Sequence, residues 1–299
     1  MSAEIPVPVE PSPVEPSLGA APLTVSIVIP AFNEELTIGP CVLAALAQTV
    51  PAHEIIVVDN MSTDRTAEIV AELQVEYPDA PLLYLRQFEE QGLVPTRNLG
   101  LDSATGQVIG RIDADSVLEP NWVAEVQKAF TDGTVDAATG PVVYYDMPLR
   151  RFGLKADDTL RRAMLKLAKE YHFVFGSNMA LRDSAWQRIR GEVCRDREDL
   201  FHEDIDISVH LYDCGLRAAY VPTMVTGMSA RRMDDNPRDF YSYAGRFDRT
   251  YTHHGVRNRA LRVPAWVFLA VYPALKGIRW GQSELAARKP LTSPAPPAG

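Results

Sequence analysis

The sequence predicts an α/β fold, a mostly parallel sheet flanked by helices, and three observations carry that expectation. Short β-branched runs are continuously apolar, helical patterns lie between them, and acidic or small polar residues stand at the carboxyl end of each run. A strand that is apolar on both sides is covered on both faces, as in a parallel sheet sandwiched between helices.

Six of the 23 prolines fall in the first 22 residues and four more between Pro290 and Pro297, so 1–22 and 283–299 read as extended, unpacked tails. Between them the first strand is Val25 to Ile29, ending at Pro30, and a helical pattern runs from Glu35 to Gln48. The second strand is Glu54 to Asp59, followed by a helix from Thr63 to Tyr77 with Ser62 or Thr63 as its N-cap. Leu82 to Leu85 and Val108 to Asp113 supply two further strands, and Asn121 to Phe130 a further helix. The first 130 residues thus read as a Rossmann-like βαβαβαβ sheet, whose ligand crevice lies at the carboxyl ends of its strands. There stand Pro30-Ala31-Phe32-Asn33-Glu34, Asp59-Asn60-Met61-Ser62-Thr63-Asp64 and Asp113-Ala114-Asp115.

The chain has 299 residues, 46% of them hydrophobic, enough for a large core and too many for disorder throughout. A net charge of −9 argues against a protein that coats nucleic acid. The charge is uneven: from Met228 onward 12 Lys and Arg face 5 Asp and Glu, which suggests an anionic partner at that end. Cys41, Cys194 and Cys214 lie far apart without metal-ligand spacing, as expected of reduced cysteines in a cytoplasmic protein. The N-terminus has acidic residues and prolines where an export signal needs positive charge and then an apolar run. Val263 to Leu275 is apolar for 13 residues with two prolines inside, short of the roughly 20 that a spanning helix needs. Its flanking Arg257, Arg259, Arg262, Lys276 and Arg279, with Trp266, Phe268 and Tyr272 between, fit peripheral contact with an anionic membrane through 257–279. A helix closing the core is the other reading of the same segment.

Motifs narrow the chemistry. GxGxxG, GxxxxGK[ST], HExxH and GxSxG are absent, so hydride transfer, P-loop phosphoryl transfer, zinc proteolysis and elbow-serine hydrolysis lose their usual signals. Arg111-Ile112-Asp113-Ala114-Asp115-Ser116 sets two carboxylates two residues apart at a strand end, suited to Mg²⁺ or Mn²⁺ and a phosphate; helix capping is the alternative. His202-Glu203-Asp204-Ile205-Asp206 precedes a helical pattern and, read alone, equally suits an acidic helix start. His254 is a candidate third metal ligand, and Arg246 and Arg249 are candidate phosphate contacts on an aromatic helix.

VSIVIPAFNEE, EIIVVDNMSTDRT, TRNLGLDSATGQVIGRIDADS, FGSNMALR and HEDIDISVHLYDCG, in this order, resemble the inverting family 2 glycosyltransferases of the GT-A fold over roughly Leu23 to Pro222. The resemblance implies a catalytic domain at 23–230, with a donor half at 23–130 and an acceptor half at 131–230, followed by a basic helical extension at 231–282. It implies that Ala31, Glu34 and Asp59 hold the nucleotide, that Asp113 sits near the ribose, and that Arg97 lies near the donor. Asp115, with Asp113 beside it, would bind the metal on the diphosphate. Asp204 aligns with the catalytic base, supported by Glu203, His202 and Asp206, and Gly176, Ser177 and Asn178 would line the acceptor side.

Two departures stand out: Asn60-Met61 replaces the family's common Asp-Gly, and the QxxRW motif of processive synthases is missing. The expected reaction is metal-dependent, inverting transfer from a UDP- or GDP-sugar to an acceptor hydroxyl. A retaining GT-A transferase, a sugar nucleotidyltransferase and a nucleotide-sugar-binding protein with a decayed site are the alternatives.

Overall fold

The computed structural model describes residues 21–148, 150–168 and 172–287. In chain order its elements are β1 (Val25–Ala31), α1 (Ile38–Leu46), β2 (Glu54–Asp59), α2 (Thr66–Glu76), β3 (Leu82–Arg86), α3 (Leu93–Ser103) and β4 (Val108–Arg111). There follow β5 (Val117–Leu118), α4 (Trp122–Phe130), β6 (Ala137–Thr139), β7 (Val142–Tyr144), α5 (Arg150–Ala168), β8 (Met179–Arg182) and α6 (Asp183–Ile189). The remainder is α7 (Glu203–Asp213), β9 (Ala218–Tyr220), β10 (Thr226–Met228), α8 (Pro237–His253) and α9 (Val263–Ala287).

The main sheet has the order β3-β2-β1-β4-β8-β6-β9. Its first four strands are parallel, and β8 runs antiparallel between β4 and β6. Successive strand residues feed opposite faces: Ile27, Ile29, Ile55 and Val57 pack with Cys41, Val42, Val70 and Trp122, whereas Val28, Ile56 and Val58 pack with Leu101, Trp186 and Ile207. That alternation, with helices on both sides, is why the strands are apolar at every position. A small sheet, β5-β10-β7, stands beside the end of β4.

The strands match the expected ones closely, while α1 and α2 begin three residues later than expected. The intervening residues hydrogen-bond across two loops instead. Asn33 N–H donates to Ser62 Oγ (2.9 Å), Thr63 N–H to Asn33 Oδ1 (2.8 Å), Glu34 N–H to Thr66 Oγ1 (2.8 Å) and Glu35 N–H to Asp64 Oδ2 (3.0 Å). The N-cap of α2 is Arg65, without a side-chain cap bond, in place of Ser62 or Thr63; Asp64 just before it accepts from Thr66 N–H through Oδ1 at 3.0 Å. Met61 adopts φ 61°, a left-handed conformation natural to glycine, which explains why Asp-Gly is common at this turn.

The C-terminal extension is helical as expected, but α9 runs to Ala287, five residues into the segment read as a tail. The rest of both expected tails lies outside the described residues, apart from 21–22. One side of α9 closes over α8, with Tyr272 stacked on Phe240 at 3.8 Å between ring centroids. Its other side exposes Val263, Trp266, Val267, Val271 and Ile278. Pro273 does not end the helix, which corrects the length argument made from the 13-residue apolar run. Arg259–Gly281 is 23 residues long, and an 18-residue window within it has mean hydropathy 1.2 with 12% of that window buried, so the helix is long and apolar enough to cross a membrane by length and composition alone.

Candidate active site

The carboxyl ends of β1, β2 and β4 bring Glu34, Asp59, Asp113 and Asp115 to one edge of the sheet, as the topology requires. Asp59 is buried, its Oδ1 accepting from Ser62 N–H (3.2 Å) and its Oδ2 from the Tyr84 hydroxyl (2.8 Å). Asn60 ties down the next loop, donating to the carbonyls of Gln87 and Glu90 and accepting from Gly92 N–H at 2.7 Å. Ala31 is buried at the end of β1 and accepts Asn60 N–H at 2.9 Å through its carbonyl.

Asp115 is the buried member of the Asp-x-Asp pair, and Asp113 is about one-third exposed. Burial, and then the charge of Asp113, push the Asp115 carboxyl up to about 7, against the opposing charge of Arg231. Arg231, which sequence reasoning missed, follows β10 and bridges two strand ends: its Nη1 and Nη2 reach Glu34 at 2.7 and 2.5 Å, and its Nε lies 3.0 Å from Asp115 Oδ2. Nothing in its local sequence marks it; the second sheet carries it there.

A second acidic pair opens α7. Arg97, fully buried on α3, donates to Glu203 Oε2 at 2.5 Å and to the Glu203 carbonyl at 3.1 Å. Arg111 at the end of β4 lies 3.1 Å from Glu203 Oε1 and 3.0 Å from Asp113 Oδ1, linking the two acidic sites. Burial alone would raise the Glu203 carboxyl, but Arg111 and then Arg97 outweigh it and hold the group below its ordinary value. At Asp204 burial and then the neighbouring Glu203 charge outweigh Arg111 and two backbone N–H donors and push the carboxyl up to about 6. Its Oδ2 accepts from Gly176 N–H at 3.0 Å and its Oδ1 from Ile205 N–H at 2.8 Å. Arg97 thus sits on the support of this acidic pair.

A Cβ at Gly176 would lie 2.0 Å from Arg111 Nη1 and 2.9 Å from Glu203 Oε1, so any larger residue there must displace that buried ion pair. The close approach expected of a sugar is made by a guanidinium. Ser177 is half-buried in the same turn. Asn178 is corrected from an acceptor-side residue to a core staple: fully buried, it accepts from Trp122 Nε1–H (2.8 Å) and donates to the carbonyls of Pro141 (2.9 Å) and Met224 (2.7 Å).

The other supporting candidates also find particular places. His202 is buried against Phe247 and Tyr243, and burial followed by the Arg246 charge lowers it to about 3, so it is a neutral packing residue. Arg246 pairs with Asp199 through both Nη atoms, one at 2.7 Å, and Arg249 donates to the carbonyls of Leu200 (2.9 Å) and Ser242 (3.1 Å). Both guanidiniums hold the loop before α7, which corrects their reading as phosphate contacts. His254 contacts Asp206, Nε2 to Oδ1 at 2.8 Å, so it belongs with α7 and the post-α6 loop instead of the Asp113-Asp115 pair.

A doubly covered parallel sheet with acidic residues gathered at its strand ends defines an α/β protein whose ligand crevice lies at that edge. The family model of glycosyl transferase family 2 matches residues 26–190, more than half of the chain, and the chain belongs to that family. Glycosyltransferase AglE of Haloferax volcanii is 31% identical over 122 residues, covering 40% of this chain and 40% of that protein. Hyaluronan synthase of Pasteurella multocida is 36% identical over 119 residues, covering 40% of this chain and 12% of its own length. Alignment with these curated relatives thus spans two-fifths of their length or less.

Among solved structures, the mannosyltransferase PcManGT from Pyrobaculum calidifontis in complex with GDP-Man and Mn²⁺ superposes with a TM-score of 0.63 at 21% identity, covering 91% of this chain and 77% of that one. S. aureus TarS gives 0.55 at 14% identity, covering 90% and 76%. The shared architecture is the GT-A fold.

Proposed function

We propose that this chain transfers a sugar from a nucleoside-diphosphate sugar to an acceptor hydroxyl, with inversion at the anomeric carbon. The observation that carries the reading is the divergence of two adjacent carboxyls: Glu203 is held ionised by Arg97 and Arg111, while Asp204 is raised to about 6, where it is a useful base at neutral pH. Asp204 would remove the acceptor proton as that oxygen attacks opposite the leaving diphosphate, and one displacement inverts the centre. Asp59, Glu34 and the backbone at Ala31 would orient the nucleotide in the crevice at the strand ends.

The carboxylates beside Arg231 fit a divalent cation, since Glu34 and Asp115 already draw a cationic group of the chain itself. Asp115, with Asp113 beside it, would hold Mg²⁺ or Mn²⁺ through hard oxygen ligands. When bound, the ion would neutralise charge developing on the departing diphosphate. Arg231 has the planar fork that pairs with phosphate and stands ready to move from the carboxylates to the donor.

The test is thermal stabilisation of the full chain by UDP and GDP, each with Mg²⁺, Mn²⁺ or EDTA. One nucleotide should stabilise by about 2.7 kcal/mol at 100 times its dissociation constant, and only with metal. Absence of stabilisation by any nucleoside diphosphate removes the reading, and retained anomeric configuration in an NMR-analysed product removes the inverting mechanism.

For location, we propose that the exposed face of α9 rests on an anionic membrane on the cytoplasmic side. Val263, Trp266, Val267, Val271 and Ile278 recur along that face at helical spacing, and Arg257 and Arg259 are exposed at its start. Arg262, Lys276 and Arg279 are directed at Asp248, the Asp235 carbonyl, and Asp146 with Asp234, so they do not add to that charge. Co-sedimentation with anionic vesicles should be lost in a Trp266→Ser, Val271→Ser variant; equal binding by the variant excludes this face.

A further inference from the structure

Away from the sheet edge, Cys194, Asp206, His210 and His254 bring four ligand atoms within 4.8 Å of one another. The local geometry explains how. Asp206 and His210 stand four residues apart on α7 and therefore share one helical face. His254 caps the C-terminus of α8, and Cys194 lies on the loop after α6. Asp206 is buried and oriented from behind, its Oδ2 accepting the Cys194 backbone N–H at 2.9 Å, which leaves Oδ1 facing both imidazoles. His254 Nε2 lies 2.8 Å from that oxygen, and His210 Nε2 lies 3.4 Å from it. The His210 contact lacks hydrogen-bond alignment, and this shielded Nε2 has no hydrogen-bond partner.

We propose that these four residues bind one zinc-class divalent cation. Bonds of about 2.0–2.1 Å to nitrogen and oxygen and about 2.3 Å to sulfur give a tetrahedron with edges of roughly 3.3–3.8 Å. The His210 to Asp206 separation already matches such an edge, and the His254 contact needs to open by about half an ångström. One thiolate, two imidazoles and one carboxylate are a soft-to-borderline donor set, which favours zinc over Mg²⁺ or Mn²⁺. The backbone N–H on Asp206 Oδ2 is the outer contact that keeps a ligating carboxylate monodentate.

Binding releases the Cys194 thiol proton to solvent as the thiolate is ligated, and each imidazole binds through an unprotonated Nε2 with its ring proton carried on Nδ1. His253, whose Nε2 lies 3.5 Å from Cys194 Sγ in the metal-free arrangement, is the partner the sulfur gives up. The ion would clamp the first turns of α7, two residues from Asp204, to α8 and the post-α6 loop. Its role is structural and separate from the hard-ligand site at Asp115.

The experiment uses the full chain, stripped with chelator, dialysed, and titrated with Co²⁺ in excess Mg²⁺. One equivalent should produce tetrahedral visible bands and a thiolate-to-cobalt charge-transfer band in the near ultraviolet, both abolished by one equivalent of Zn²⁺. Cys194→Ser should remove the charge-transfer band, His210→Gln should weaken Co²⁺ affinity at least tenfold, and Asp115→Asn should leave the spectrum intact. Absence of the charge-transfer band in the wild-type chain at stoichiometric Co²⁺ overturns the proposal, as does its persistence in Cys194→Ser. The wild-type spectrum decides even if a variant fails to fold.

Discussion

The two acidic pairs, Asp113-x-Asp115 and Glu203-Asp204, are built from the same residue types and neutralised in opposite ways. Glu203 is gripped by two buried arginines from different elements, Arg97 on α3 and Arg111 at the end of β4. Asp115 and Glu34 share Arg231, whose side chain is 48% exposed. A buried ion pair is fixed because separating it strands a charge away from water, whereas a half-exposed guanidinium exchanges partners at little cost. The first arrangement suits a support that never moves, and the second a place where cationic charge comes and goes. In both a carboxyl is pushed upward: Asp204, beside the gripped Glu203, to about 6, and Asp115, itself paired with Arg231, to about 7.

The largest expected effect is at Asp204. Asp204→Asn keeps the shape and loses the proton acceptor, so transfer should fall on the order of 10² to 10⁴-fold with nucleotide affinity unchanged, read by steady-state kinetics and calorimetry. The wild-type rate should fall as pH drops through about 6, because protonation removes the base.

Arg97→Met breaks the fixed side of the comparison by leaving Glu203 buried and half-paired. It should cost about 3–5 kcal/mol in denaturant unfolding. Arg231→Met should cost less than Arg97→Met on the same measurement, because its guanidinium is half-exposed where that of Arg97 is fully buried, although the carboxylates it pairs with are themselves buried. Equal losses would erase the distinction between the two sites.

Asp115→Asn sharpens it. A folded-state value of about 7 against an ordinary 3.8 means that the metal-free fold holds the proton more tightly than the unfolded chain. Stability contributed there is complete below about pH 4 and is lost as pH rises through 7. In EDTA the variant should therefore match wild type at pH 4 and exceed it at pH 8 by on the order of 4 kcal/mol. Thermal unfolding at the two pH values measures this.

The smallest effect concerns the turn behind Asp59. Met61→Gly should raise stability by about 0.5–1 kcal/mol in chemical denaturation, since the strain of φ 61° outweighs the glycine's extra chain entropy.

The β1 to β4 half of the sheet was legible in the sequence. Val25, Glu54, Leu82 and Val108 begin strands where continuous apolar runs begin, because burial on both faces leaves no polar position to blur the signal. Ordered motifs also determined which carboxylates stand at the strand ends and at the start of α7, since topology carries strand ends to one edge whatever the loops do.

Partners distant in the chain were not legible in the sequence. Arg231 reaches Glu34 across 197 positions, and Arg97 reaches Glu203 across 106. The Cys194, Asp206, His210 and His254 cluster draws on four separate places, of which only the Asp206 to His210 spacing carries any periodic trace. The motif around Gly176 and Asn178 points to an acceptor side, whereas the neighbours that decide their roles, Arg111 and Trp122, come from other elements. The physical reason is one of range. Periodicity and capping act within a turn or two of backbone, so sequence spacing reports them. Charge pairing and close approach depend on which elements pack together, and that is set by the burial of the whole core.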